Sequence, residues 1–179
     1  MPQGLRRFHH TGHSHFITFT CYHRLPKTNT GEIRDLVVAA LEHARVKYRF
    51  LVYAFVVMPE HVHLLISEPE RASIAQAIGS FKVSSAKQVK KLRSGAPQDG
   101  RLWQPRGYNR YVRDYEEFVE KRRYIHRNPV RRGLCAQPQD WKWSSFRHYL
   151  TGEDCGVEIE SEWTARKREP PRLRIRQKP

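Results

Sequence analysis

The sequence predicts an α+β chain: a ferredoxin-like βαββαβ antiparallel sheet with one additional helix. Three observations carry this. Segments 15–22 and 61–67 alternate with a period of two, and segments 30–48 and 72–93 repeat apolar residues at intervals of three and four. The order reads strand, helix, strand, strand, helix, strand, helix, whose first six elements are the split βαβ pattern. Such a sheet carries both crossover helices on one face and leaves the other free.

In residues 15–22, HFITFTCY, the side chains Phe16, Thr18, Thr20 and Tyr22 share one face, while Ile17, Phe19 and Cys21 share the other. Aromatic and β-branched residues suit a strand. Thr30-Gly31-Glu32 opens a helix to about Tyr48, with Ile33, Leu36, Val37, Ala40, Leu41 and Ala44 on its stripe. The run FLVYAFVV at 50–57 reads as a strand buried on both faces. Met58-Pro59-Glu60 breaks it, and HVHLLIS at 61–67 completes a hairpin. Residues 72–93 form the second helix, with Ile74, Ala77, Ile78, Phe81 and Val89 opposite many lysines. In 102–113, Pro105 and Gly107 confine a strand to the later residues. Asp114 suits an N-cap, and Glu116 and Glu117 suit a first turn. That helix is expected to end near Arg127, because the residue before Pro129 disfavours helical backbone. Residues 141–150 add a short helix. From residue 166 the chain carries seven basic residues and one acidic residue, the composition of a disordered tail. The expected organisation is a basic, His-rich arm at 1–14, a domain at 15–150 and an extension at 151–179.

Charge narrows the function. The 179 residues contain 33 Lys+Arg against 18 Asp+Glu, a formal charge of +15. A field of that sign attracts polyanions, and nucleic acid is the expected partner. No apolar run approaches the roughly 18 residues of a membrane span, so no membrane partner is expected. MPQGLRRFHH lacks an apolar signal region, and three cysteines without metal-type spacing suit a reducing compartment. The expected location is therefore cytoplasmic and nucleoid-associated.

Two constellations bear chemistry. On a strand, the spacing of two in His61-Val62-His63 points both imidazoles to one side, about 6–7 Å apart, so both can face one divalent ion or simply fill a partly buried surface. On a helix, Tyr124 and Asn128 are four apart and stack on one face. A tyrosine is a recognised covalent nucleophile, and it is equally at home as a core aromatic of an amphipathic helix. Glu60 adjoins the histidines and can orient one of them. Lys82, Lys87 and Lys90 can hold phosphates. Trp103 and Tyr108 can stack on bases or pack in a core. Arg106, Arg110, Arg113 and Arg127 add cationic contacts.

The segments MPEHVHLLI, LWQPRGYNRYVRD, YIHRNPVRRGL and DWKWSSFRHY, in this order and spacing, resemble the REP-associated tyrosine transposases. These are relatives of the single-strand insertion-sequence (Y1) transposases in the HUH endonuclease group. The resemblance implies that residues 15–150 form a catalytic domain and that the additional helix is the catalytic one. His61 and His63 would be metal ligands, and Asn128 would replace a glutamine found four residues after the tyrosine in the insertion-sequence relatives. Tyr124 would be the nucleophile, forming a 5′-phosphotyrosine on single-stranded DNA beside a hairpin, with Mg²⁺ or Mn²⁺ as cofactor. The alternative is a non-catalytic nucleic-acid-binding module on the same sheet. Both a monomer and a homodimer remain open.

Overall fold

A computed structural model describes residues 14–94 and 100–168. Four strands, β1 (Ser14–Thr20), β2 (Val52–Val57), β3 (His61–Ser67) and β4 (Tyr108–Val112), form one sheet in the order β2-β3-β1-β4. Every neighbouring pair is antiparallel, as the expected fold requires. Helices α1 (Gly31–Tyr48) and α2 (Ile74–Leu92) begin where their caps place them. Thr30 accepts a hydrogen bond from the Ile33 amide, and Ser73 and Gln76 form a reciprocal capping box. Helix α3 (Tyr115–Arg131) starts after Asp114, whose carboxylate accepts from the Glu117 amide at 2.8 Å.

The period of two in β1 and β3 separates two cores. On one face Ile17, Phe19, Val62, Leu64 and Ile66 meet α1 and α2, including Leu41 and Phe81. On the other face Phe16, Val56 and Leu65 meet Phe118 and Ile125 of α3 and Trp141. His61 and His63 share the Leu65 side of β3, under α3.

Strand β2 is wholly buried, as its apolar run predicts, although it lies at the sheet edge. Later chain covers that edge. The Val57 amide donates to Trp143 O at 2.9 Å, Ser145 N to Phe55 O at 3.1 Å and Glu160 N to Val52 O at 2.8 Å. An unpaired edge would otherwise expose a row of hydrogen-bonding groups beside an apolar strand. Two short helices complete this cover, α4 (Phe146–Thr151) and α5 (Glu162–Arg168). Residues expected in the C-terminal extension thus enter the core, with Val157, Ile159 and Ala165 buried. The first three residues of the expected basic tail belong to α5, and 169–179 lie outside the described residues, as do 1–13 of the expected arm.

The short helix expected over 141–150 begins only at Phe146, and the end of α3 also differs from expectation. Helix α3 does not stop near Arg127 but continues through Pro129 to Arg131. Proline removes one donor, and the buried Pro129 ring sits in the last turn, where the chain closes regardless. The Arg132 amide donates to Asn128 O at 3.0 Å and the Leu134 amide to Pro129 O at 2.9 Å. Asn128 therefore stays helical, one turn beyond Tyr124.

A polar contact pins α3 to the covered edge: His126 Nε2 lies 2.8 Å from Ser145 Oγ, which also accepts from the Phe55 amide. Burial, reinforced by the Arg122 charge, holds the His126 pKa down to about 3. The imidazole is neutral in the fold but protonates below its ordinary value near 6.5 once unfolded. Stability is therefore expected to fall as pH drops from about 6.5 toward 3. Urea unfolding across that range checks this, with His126→Gln flattening the dependence by one proton. Ile159→Ala should cost about 2–5 kcal/mol in the same experiment, the usual penalty for emptying a buried aliphatic site.

Candidate active site

The turn before β3 is fixed from two directions. The Cys21 amide donates to Glu60 O at 2.7 Å and the Thr28 amide to Pro59 O at 2.9 Å. The Thr28 hydroxyl also contacts Met58 O at 2.7 Å. From this turn β3 carries His61 and His63 to the α3 face, with ring centroids 4.5 Å apart. Strand β1 pairs so that Thr18 lies opposite His63. Its hydroxyl is 2.7 Å from His63 Nδ1, and Phe16 stacks on the same ring at 5.6 Å.

Helix α3 closes the site. Asn128 Nδ2 lies 3.2 Å from His63 Nε2. One turn earlier, the Tyr124 ring meets the His63 ring edge-on at 5.2 Å and the Phe16 ring at 6.0 Å. The Arg131 guanidinium sits over the Tyr124 ring at 5.6 Å. His61, His63 and Asn128 are buried, whereas Tyr124 is 37% exposed. The phenol therefore stands between solvent and the imidazole pair, all within one chain.

With Asn128 Nδ2 against His63 Nε2, the matching arrangement has a lone pair on Nε2 and Nδ1–H donating to Thr18 Oγ1, the same tautomer that would face a cation. Glu60 Oε1 accepts from His61 Nδ1 at 3.2 Å, which bares His61 Nε2. Arg132, just past α3, holds the same Glu60 oxygen at 2.6 Å. Burial pushes His63 down to about 3, with the His61 charge adding to it. Burial also lowers His61, against the opposing pull of Glu60. Both rings are neutral near pH 7, the state in which imidazole ligates metals.

Asn128 Oδ1 is buried and has no hydrogen-bond partner. An orphaned acceptor beside two bare imidazole nitrogens fits a divalent cation, because turning the amide exchanges Nδ2 for Oδ1. Among the described residues no group of three His, Cys, Asp or Glu side chains forms a metal cluster. The candidate third donor here is an amide. Mixed nitrogen and oxygen donors suit Mn²⁺ more readily than Mg²⁺, which prefers oxygen.

The other expected residues separate into groups. Lys82 is not a free phosphate contact: its ammonium donates to Gln104 O at 2.6 Å and Pro105 O at 3.3 Å, bracing the approach to β4. Trp103 is not a stacking platform. It is buried against Phe19, and its indole N–H donates to Ser85 Oγ at 2.9 Å. Arg110 and Arg113 flank Glu117 at 2.9 and 3.3 Å. Arg106, Tyr108 and Arg127 are exposed, and Tyr108 lies beside Phe16 at the edge of the site. Lys87 and Lys90 are exposed on α2, across the sheet from the imidazoles. Sequence reasoning did not find Thr18, Phe16, Arg131 or Arg132 as neighbours of the site. The alternation of β1 places Thr18 and Phe16 on one face, but only the strand register joins them to His63.

The family described as "Transposase IS200 like" matches residues 9–128. The chain is 30% identical over 146 residues to the REP-associated tyrosine transposase of Escherichia coli (strain K12), covering 79% of this chain and 81% of that protein. A REP-associated tyrosine transposase solved bound to a REP hairpin superposes with a TM-score of 0.63 at 24% identity, covering 89% of this chain and 94% of the other. That superposition gives the fold. The family match and the identity to the relative go further, and on them this chain belongs to the IS200-like transposases.

Proposed function

We propose that the chain nicks single-stranded DNA beside a hairpin and transfers the strand end through a 5′-phosphotyrosine at Tyr124. His61, His63 and Asn128 would hold a divalent cation, Mg²⁺ or Mn²⁺. The observation that carries this reading is the accessible Tyr124 ring 5.2 Å from the His63 ring, beside the orphaned Asn128 oxygen. Membership of a transposase family supports it, and so does the hairpin bound by the structural relative.

The cation would supply Lewis-acid polarisation of a phosphate oxygen. The chain's own groups do the rest. Thr18 and Glu60 fix the imidazole tautomers so that both Nε2 lone pairs face the site. Arg131 brings positive charge beside the phenol. Tyr124 Oη attacks phosphorus in line: the O–P bond forms, the bond to the 3′ oxygen breaks, the phenolic proton passes to water, and the departing oxygen gains a proton to become a 3′-hydroxyl. The new linkage is still a phosphodiester, so the 3′-hydroxyl of another strand end can reverse the step. Exposed Arg106, Tyr108 and Arg127 border this face and suit phosphates and a stacked base. Tyr124, His61, His63 and Asn128 meet within one chain.

Incubation with hairpin-bearing single-stranded DNA and Mn²⁺ is expected to give a protein–DNA adduct that survives denaturant. Tyr124→Phe and chelation by EDTA should each abolish it. An adduct retained by Tyr124→Phe overturns the nucleophile, and none from the wild type on any hairpin substrate leaves a DNA-binding module. Thr18→Val should weaken Mn²⁺ binding about 10–100-fold by calorimetry, the usual effect of losing a hydrogen bond behind a ligand.

A further inference from the structure

We propose that a basic cleft behind α2 holds the phosphodiester backbone of the single-stranded DNA flank leading away from the Tyr124 site. This rests on the reading of the chain as acting on single-stranded DNA.

The cleft has a volume of about 280 Å³ and lies between the C-terminal half of α2, residue 27 and residues 100–102. Five of the described residues that line it are cationic, namely Lys27, Lys87, Lys90, Arg93 and Arg101. None of the described residues that line it is acidic. Lys87, Lys90 and Arg101 are exposed to solvent. The floor is apolar, formed by Val83, Ala86 and Leu102 among others. A row of cations over an apolar floor matches a strand with phosphates on one side and sugars and unstacked bases on the other.

Position links the cleft to the catalytic end of the sheet. Arg93 Nη2 donates to Lys27 O at 2.8 Å, and the next residue, Thr28, holds the Met58 and Pro59 carbonyls of the turn that presents His61. The cleft and the imidazoles thus lie on opposite faces of the sheet but meet at the same end. A flexible strand can round that end, whereas a stiff duplex cannot follow so sharp a path. This selects a single-stranded flank over the hairpin stem.

The experiment compares two hairpin oligonucleotides, one with a long single-stranded flank and one with almost none, by fluorescence anisotropy across a salt series. Each phosphate contact on single-stranded DNA contributes about 0.7 to the slope of log affinity against log salt. The combined variant Lys87→Gln, Lys90→Gln, Arg101→Gln should lower the long-flank slope by about 2 and weaken that complex roughly 10–50-fold near physiological salt. The ratio of long-flank to short-flank affinity should fall with it. Arginine at positions 87 and 90 should restore most of the slope, and each single variant should lose about 0.7, which keeps the test available if the combined variant folds poorly. An unchanged slope overturns the proposal, and so does equal weakening of both probes, which would mark a general surface charge. Adduct formation is read separately at saturating DNA, so failure of the cleft and failure of the Tyr124 chemistry give different results.

Discussion

One line of polar contacts, Asn128 to His63 to Thr18, crosses three elements inside an otherwise apolar seam. The amide comes from α3, the imidazole from β3 and the hydroxyl from β1. Each contact constrains the next: the amide donor requires a bare Nε2, and a bare Nε2 requires the proton on Nδ1, where Thr18 accepts it. In a buried setting such a chain strengthens itself and penalises any arrangement that leaves a member unpaired. The position of α3 and the orientation of the His63 ring are therefore set by the same contacts. The amide oxygen at the end of this line, Asn128 Oδ1, has no hydrogen-bond partner and lies where the proposed chemistry needs an oxygen.

That arrangement depends on α3 running unbroken to Arg131. Had the helix ended before Pro129, Asn128 would leave the face shared with Tyr124. The proline is tolerated because it falls in the last turn, where only one internal bond is forfeited. The following residues then place Arg132 on Glu60, so the end of α3 also steadies the carboxylate that orients His61. His126, on the opposite side of the helix, secures it to Ser145 and the covered edge of β2. The helix that carries Tyr124 is thus held on both flanks, while Tyr124, unlike His61, His63 and Asn128, reaches solvent.

The basic residues show how charge is divided between structure and ligand. Lys82 and Arg34 are cations used as internal braces. Lys82 binds two carbonyls before β4, and Arg34 donates to Thr28 O while stacking on Trp143 at 4.0 Å. Burial lowers the pKa of both. Lys87, Lys90 and Arg101 occupy open surface instead. Net charge alone cannot make this distinction, because a lysine spaced for a solvent stripe reads the same whether or not a carbonyl lies within its reach.

The sequence by itself determined the order of the elements, the helix starts and the face of β3 that bears His61 and His63. Each of these follows from local rules, namely period, capping chemistry and the alternation of a strand, which act over a few residues. It also placed Tyr124 and Asn128 one helical turn apart. Tertiary structure alone decided that this helix turn meets those imidazoles, that Thr18 is their hydrogen-bond partner, and that Trp103 packs inward. It likewise decided that residues 157–165 complete the core and that Pro129 does not end α3. These outcomes depend on strand register and on packing between residues up to about a hundred positions apart, such as Phe55 and Ser145. No local pattern encodes a contact whose partner is set by how the whole chain closes.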